Sequence, residues 1–232
     1  MTLTLAYREE LARDRQAIEA GKPLSQGEID ALVERWRPRI APPTREEESF
    51  RLVDDQGRPL APALYAPRWL CHHLALRHRA AHVQLHWQSP KLGPTFIFQV
   101  RSWDKRDFPG HIDLSIGGHV VGDRTSLKAA EIEMDEELGC SLADLTDPKL
   151  HYLGGYDCLN QVPDQAFHDR EWRDVFIAEL PSLQAIDFKD EEVVGIYLCP
   201  MSHARDLLAQ KILPVAHGLC RSLPLCLDYL GE

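Results

Sequence analysis

The chain lacks the main features of secreted, membrane-spanning and polymer-binding proteins. No stretch approaches the roughly 20 consecutive apolar residues that a membrane-spanning helix needs. The first residues, MTLTLAYREELARDR, have neither the apolar core nor the small-residue cleavage pattern of a signal peptide. The six cysteines form no CxxC pair, which favours reduced thiols over a disulfide framework or a zinc finger. We therefore expect a cytoplasmic protein with no disulfide bonds and no membrane partner.

Positive charge is also scarce. The formal net charge is -10, and no run of Lys and Arg forms a stripe along a helix. This excludes the electrostatic footprint of a protein that binds a nucleic-acid polymer. A small phosphorylated substrate remains compatible, because a bound divalent cation can reverse the local sign of an acidic cleft.

What is present is ordinary globular material, with 44% hydrophobic residues in a chain of 232. Residues 1–46 have a helical, polar pattern, and Ser25 to Glu28 form a capping box in front of a second helix. This N-terminal helical extension is expected to pack either on the main domain or on a second copy in a homodimer. The main domain is predicted to cover residues 47–212, followed by a helical tail at 213–232.

Strand patterns outnumber helical patterns after residue 48, which predicts an α+β domain with a mixed sheet. A turn at Asp55-Gln56-Gly57 suggests a hairpin between Phe50–Val53 and Leu60–Leu64. The other predicted strands are 81–87, 95–101, 112–116, 151–156, 174–179 and 193–198, and the predicted helices are 68–76, 125–138, 202–211 and 215–229.

The most informative segment is the helix that carries three acidic residues. Glu133, Glu136 and Glu137 have i, i+3 and i+4 spacing, which places them on one face of a helix. Like charges so close repel one another, and a hard divalent ion such as Mg²⁺ or Mn²⁺ would relieve that repulsion. Taken by spacing alone, a solvated acidic helix face is the alternative. The residues expected to dock this helix on the sheet are Leu127, Ala130, Met134 and Leu138.

The same segment resembles the Nudix box, G-x5-E-x7-R-E-U-x-E-E-x-G-U, where U is an aliphatic or similar residue. Gly118, the three glutamates and Gly139 stand at matching positions, and Met134 and Cys140 fit the U positions. The resemblance implies a metal-dependent hydrolase that cleaves a diphosphate linkage, in a nucleoside diphosphate-X or a similar small substrate. It also implies that Glu133 and Glu137 are metal ligands, that Glu136 is a further ligand or a support, and that the Gly117 carbonyl coordinates.

Two positions depart from the box. Arg124 stands where the first Glu belongs, although Asp123 could supply a carboxylate, and Ile132 replaces the Arg that would pair with a helix glutamate. A Nudix-fold module that binds a metabolite with little or no turnover is therefore the second hypothesis.

The flanking segments look like the Nudix subgroup that is similar to isopentenyl-diphosphate isomerase, which implies an α/β/α sandwich around a mixed sheet. An isomerase is the third hypothesis, although Gly117 stands where that enzyme carries its catalytic cysteine. The resemblance also implies a second metal site for Mn²⁺ or Zn²⁺, because imidazole nitrogen suits transition metals. The residues that match its ligand positions are His78, His119, Asp169 and Glu171, with Cys71 at the remaining position.

The general base and the substrate contacts stay open at this stage. Candidates for the base are Glu133, Glu171 and the pair Glu191-Glu192. Arg101 and Lys105 precede Phe108-Pro109-Gly110 in a loop and could hold phosphates. Five aromatic residues could stack on a base, although packing in the core is the expectation for them: Trp103, Phe108, His111, Phe167 and Trp172.

Overall fold

A computed structural model of the chain describes residues 5–20, 24–40, 48–105, 107–162, 166–189, 191–210 and 213–231. The helices in these ranges are α1 (Leu5–Glu19), α2 (Gln26–Trp36), α3 (Arg68–Leu74), α4 (Ser126–Leu138), α5 (Met201–Gln210) and α6 (His217–Leu230). The strands are β1 (Ser49–Arg51), β2 (Tyr65–Pro67), β3 (His78–Ser89), β4 (Gly93–Arg101), β5 (Ile112–Asp113), β6 (Ile116–His119), β7 (His151–Val162), β8 (Phe167–Leu180) and β9 (Val193–Pro200). No helix in the described part of the chain has the length and hydropathy that a membrane crossing needs.

The main sheet has seven strands. Its central order is β5-β4-β3-β8-β7, with β6 paired to β3 and β9 paired to β4. Strand β4 runs antiparallel to both β3 and β9. Phe96, Ile97 and Phe98 in β4 are all fully buried, so both faces of this strand are covered. A strand buried on both faces is typical of a sheet between two layers.

The predicted hairpin after residue 48 is only partly right. The turn at Asp54 to Gly57 is present, with Gly57 at a φ of 73°. However, Phe50 pairs with Ala66 in β2, and residues 60–64 form no regular strand. Pro59 and Pro62 lack a backbone N–H, so this segment cannot complete a ladder.

The described residues fall into two compact units. Unit 1 draws on residues 1–79, 119–124 and 156–173, and unit 2 draws on residues 80–118, 125–155 and 174–232. The domain limits expected from the sequence, at 46–47 and 212–213, fall on or beside residues outside the described ranges and stay a prediction.

The N-terminal extension shares a hydrophobic core with the rest of unit 1. Leu11 of α1 and Ile29 and Trp36 of α2 are fully buried in the cluster that also holds Leu70 of α3. Helix α2 begins at the predicted capping box, with Ser25 and Glu28 bonding each other's backbone N–H. Burying side chains of this size contributes about 1.5–3 kcal/mol each, so the extension is part of the fold of unit 1.

Helix α4 of unit 2 is fixed at both ends by its own sequence. The Thr125 side chain accepts a hydrogen bond from the Lys128 N–H, and Gly139 ends the helix at a φ of 65°. Ala130, Met134 and Leu138 are buried as predicted. Leu127 is 43% exposed, which corrects its predicted docking role. The buried stripe instead begins at Ser126, whose hydroxyl donates to Asp174.

Candidate active site and candidate metal centre

The three glutamates of α4 lie in three different environments. Glu137 is buried, with 3% of its surface exposed, Glu133 is half-buried, and Glu136 is exposed. The i, i+3, i+4 pattern therefore places the acids on one side of the helix without giving them equal access to the interior of unit 2. Glu133 and Glu137 form the inner pair, and Glu136 lies at the solvent edge.

Glu133 lies directly against the backbone of Gly118. A Cβ atom added at position 118 would overlap the carboxyl group of Glu133. Only glycine leaves this space, which gives a physical reason for a glycine before the acid helix. The carboxyl group of Glu133 thus packs directly against the backbone of strand β6.

Glu137 accepts hydrogen bonds from strands β6 and β4. The Gly117 N–H donates to Oε2 over 3.1 Å, and the Gln99 side-chain amide approaches the same oxygen at 3.5 Å. Burial raises the pKa of Glu137 well above its usual range, and the negative charge of Glu133 raises it further, while Lys105 opposes both. A buried carboxyl group next to a second carboxylate is an environment that a cation stabilises.

The loop that precedes β5 reaches this site through Lys105. The Lys105 ammonium contacts the Glu192 carboxylate, and both groups act electrostatically on Glu137. Arg101 is occupied elsewhere, since its guanidinium lies 2.9 Å from Asp107 and 3.3 Å from Asp113. Carboxylates thus hold both residues of the predicted phosphate-binding pair, and Lys105 is the one that acts on Glu137.

Unit 1 contains a separate cluster of three histidines and an aspartate. One donor atom from each of His72, His78, His119 and Asp169 lies within 4.8 Å of every other. Asp169 Oδ1 lies 3.5 Å from His72 Nε2 and 3.4 Å from His78 Nε2. None of these three atoms, nor His119 Nε2, makes an aligned hydrogen bond to another described residue. Buried polar atoms that face one another without aligned partners form a site that a bound ion would satisfy.

The second ring nitrogen of His78 fixes its tautomer. His78 Nδ1 lies 2.9 Å from the Leu76 carbonyl oxygen, so the proton resides there and Nε2 keeps its lone pair. The fully buried ring of Phe50 stacks on His78, with centroids 4.5 Å apart, and on His119 at 4.9 Å. The rings are therefore held in place before any ion binds.

Glu171 lies at the edge of the histidine cluster. Its Oε1 is 3.1 Å from His119 Nε2, and Arg173 Nε donates to its Oε2 over 2.6 Å. Although burial alone would raise it, the pKa of Glu171 is held well below its usual range by Arg173 and His119. Burial works against the charged form of His119, but Asp169 and Glu171 raise the pKa of His119 to about 9. A carboxylate so firmly ionised is a poor general base and a good ligand.

The structure thus brings together His78, His119, Asp169 and Glu171 as the sequence predicted. It places His72 in the cluster where Cys71 was expected. Cys71 is one residue earlier on α3, is fully buried, and its thiol donates to the Ala66 carbonyl at 3.7 Å. The sequence did contain a sign of this difference, because two histidines, His72 and His73, directly follow Cys71. A step of one residue rotates a helix by about 100°, so a neighbouring side chain can replace the expected one as the ligand.

The remaining candidates find other partners. Asp123, the substitute for the missing first Glu of the box, accepts from Tyr65 Oη at 2.5 Å and lies 3.3 Å from Arg51. Glu191 is exposed, and Glu192 is the partner of Lys105. The contact described for Gly117 is its N–H donating to Glu137, whereas its carbonyl was the predicted ligand.

The sequence is similar to curated Nudix hydrolases, although no family model matches it. It is 29% identical over 168 residues to Nudix hydrolase 3 of Arabidopsis thaliana, which is 71% of this chain and 21% of that protein. It is 32% identical over 83 residues to YfcD of Salmonella typhi, an uncharacterized Nudix hydrolase, which is 36% of this chain and 43% of that protein. The chain spans less than half the length of these relatives.

A solved structure gives the fold. DR0079 from Deinococcus radiodurans superposes with a TM-score of 0.56 at 20% identity, covering 77% of this chain and 99% of that chain. The chain has the Nudix fold. The predicted α+β class, with an N-terminal helical extension, is therefore confirmed. The Nudix box residues Gly118, Glu133 and Glu137 are the ones that meet in unit 2, while the narrower likeness to isopentenyl-diphosphate isomerase stays a prediction.

Proposed function

We propose that the chain is a metal-dependent hydrolase that cleaves a diphosphate linkage in a nucleoside diphosphate-X or a similar small substrate. The observation that carries the proposal is the pairing of buried Glu137 with Glu133 on the bare backbone of Gly118. Such a pair is costly without a cation and serves no packing purpose that an apolar residue would not serve better.

The donor set of this site suits a hard divalent ion. Glu133 and Glu137 offer carboxylate oxygens, which Mg²⁺ and Mn²⁺ prefer. These two residues would hold the ion, and Glu136 at the exposed edge would hold it through water or support the inner pair. When bound, such an ion neutralises phosphate charge and lowers the pKa of a coordinated water.

The other residues of the site have roles that follow from their contacts. The Gly117 N–H orients Glu137 by donating to Oε2. Lys105 supplies the positive charge that faces the acids and would bind a phosphate oxygen once it leaves Glu192. Glu192 then loses its ion pair with Lys105 and remains as a carboxylate beside the site. It is therefore a better candidate for the general base than Glu171, which stays paired with Arg173.

The histidine cluster supports a second proposal for the same chain. Three imidazoles and a carboxylate suit Mn²⁺ or Zn²⁺ better than Mg²⁺. The fit rests on the Nε2 atoms of His72 and His78, which lie 3.5 and 3.4 Å from Asp169 Oδ1 without an aligned hydrogen bond, and on His119 Nε2 beside them. An ion here would hold α3 and β8 of unit 1 together, with Glu171 as a further ligand.

The deciding experiment is a phosphate-release screen over diphosphate compounds, with Mg²⁺ or Mn²⁺. Glu137→Gln should reduce turnover at least 100-fold, because it removes one ligand charge from the interior of the site. Glu131→Gln is the matched control on the same helix, since Glu131 pairs with Lys128 at the surface. Turnover that survives in Glu137→Gln would contradict the proposal.

The two alternative functions give different results in that screen. Thermal stabilisation by a diphosphate compound without turnover of any compound would favour the binding module, which the departures at Arg124 and Ile132 suggest. Migration of the double bond of isopentenyl diphosphate would favour the isomerase.

A further inference from the structure

Trp103 is exposed in a way that tryptophan rarely is. Its side chain is 73% exposed, whereas Phe167 is buried and Phe108, His111 and Trp172 are half-buried. The expectation that all five aromatics pack in the core is therefore wrong for Trp103. A large exposed apolar ring has no favourable role in packing, and tryptophan is enriched at binding surfaces.

One face of the indole is covered and held flat. A Cβ atom added at Gly110 would lie closest to ring carbon Cζ3, with Cη2 and Cε3 almost as near at 2.5 and 2.7 Å. Three adjacent ring atoms at similar distances mean that Gly110 lies over the plane of the ring rather than at its edge. The other face of the ring therefore accounts for the exposure. Gly110 has a φ of 68°, which also favours glycine here.

The turn that carries Trp103 is tied to the acid site of the same unit. The Ser102 N–H donates to the Glu192 carbonyl at 2.9 Å, and the Lys105 N–H donates to the Ser102 carbonyl at 3.3 Å. The Lys105 ammonium contacts the Glu192 carboxylate, and both charges act on Glu137. Trp103 is thus two residues from the cation that faces the buried carboxylates.

We propose that the open face of Trp103 stacks on the base of a nucleoside diphosphate-linked substrate while Lys105 and the acid helix engage the diphosphate. This rests on the proposed function, and it selects nucleotide substrates over diphosphates without a base. A planar base covers an indole face better than a saturated sugar or an isoprenoid chain does, and base stacking on aromatic side chains tolerates any of the bases.

Kinetics with two kinds of substrate test the proposal. Trp103→Ala should raise KM for ADP-ribose about tenfold and leave kcat within about twofold, since the ring is proposed to contact the base and not the diphosphate. KM for phosphoribosyl diphosphate, which has no base, should not change. Trp103→Phe should restore most of the affinity, and Tyr229→Ala, another exposed aromatic, is the control. An equal rise for both substrates, or no rise for ADP-ribose, would overturn the proposal.

A binding measurement separates this proposal from the proposed hydrolase. ADP should quench the tryptophan fluorescence of the wild-type chain and of Glu137→Gln, ribose 5-phosphate should not, and Trp103→Phe should lose the quenching. Quenching without turnover would contradict the hydrolase and support the stacking site. Turnover of ADP-ribose without quenching, or without any effect of Trp103→Ala, would support the hydrolase and contradict the stacking site.

Discussion

The carboxyl group of Glu133 occupies the space that a side chain at Gly118 would need. Gly118→Ala should displace Glu133 from its place beside Glu137 and lower activity about 100-fold, with a stability change of only about 1–2 kcal/mol. Phosphate release and thermal unfolding measure the two effects. Gly195→Ala is the control, because a Cβ there meets no atom within 4 Å and the backbone is not left-handed. A variant at Gly118 with unchanged activity would show that Glu133 has no role in turnover.

The second prediction concerns the pH dependence of stability through Glu137. Because burial and Glu133 raise the pKa of Glu137, the folded protein keeps a proton that the unfolded chain releases above its ordinary pKa of about 4.3. Its contribution to stability is therefore full below that pH and is lost as the pH rises toward the raised folded pKa. Denaturant unfolding without metal measures this effect. The free energy of unfolding of wild type should fall by up to about 1.4 kcal/mol per pH unit relative to that of Glu137→Gln across this window.

Adding Mg²⁺ at neutral pH should stabilise wild type and leave Glu137→Gln unchanged, because Mg²⁺ prefers carboxylate oxygens to imidazole nitrogens. Glu131→Gln should follow wild type at every pH, because its carboxylate lies at the surface. Parallel stability curves for wild type and Glu137→Gln would mean that Glu137 is not protonated in the folded state.

The third prediction concerns the histidine cluster. Zn²⁺ should raise the melting temperature, since an ion at 100 times its Kd contributes about 2.7 kcal/mol to the free energy of unfolding. His72→Ala should remove most of this gain. Differential scanning fluorimetry measures the shift in melting temperature, and isothermal titration calorimetry measures the affinity for the ion. Cys71→Ala should retain the gain, because the Cys71 thiol donates to the Ala66 carbonyl and is not one of the four ligand groups of the cluster. His203→Ala, at an exposed site on α5, controls for loss of a histidine.

The fourth prediction concerns the N-terminal extension. Trp36 is fully buried, and its Nε1–H donates to Asp14 over 2.8 Å. Trp36→Phe should destabilise the chain by about 2 kcal/mol, because Asp14 loses a buried donor and the smaller ring leaves space. Chemical unfolding should detect this loss while kcat stays within about twofold. No loss of stability would mean that the extension does not contribute to the fold.

Local sequence patterns predicted the helices well. The capping box at Ser25 and the caps of α4 at Thr125 and Gly139 set helix limits through neighbouring residues alone. The acid helix and its glycines could also be predicted without the structure, because their pattern depends only on the spacing of residues along one short segment. The depth of each glutamate could not be found in this way, because it depends on which strands pack against α4.

The errors in prediction come from contacts that are distant in sequence. Phe50 pairs with Ala66 and not with the nearer segment 59–64, because that segment contains Pro59 and Pro62. His72 lies with His119 and Asp169, and the side of α3 that faces them depends on how the core of unit 1 packs around this helix. The apolarity of Trp103 predicts a core position, whereas its ring lies against Gly110 and is 73% exposed.

Gly118 and His119 are consecutive residues of β6, yet Gly118 supports the acid helix and His119 belongs to the histidine cluster. One peptide bond joins the two residues, so a change in the length of this strand affects both groups. An insertion or deletion in this strand would disturb both groups at once, so neither group can evolve or be redesigned there independently of the other. Loop grafting in an engineered variant should therefore leave residues 116–119 intact and place new sequence elsewhere.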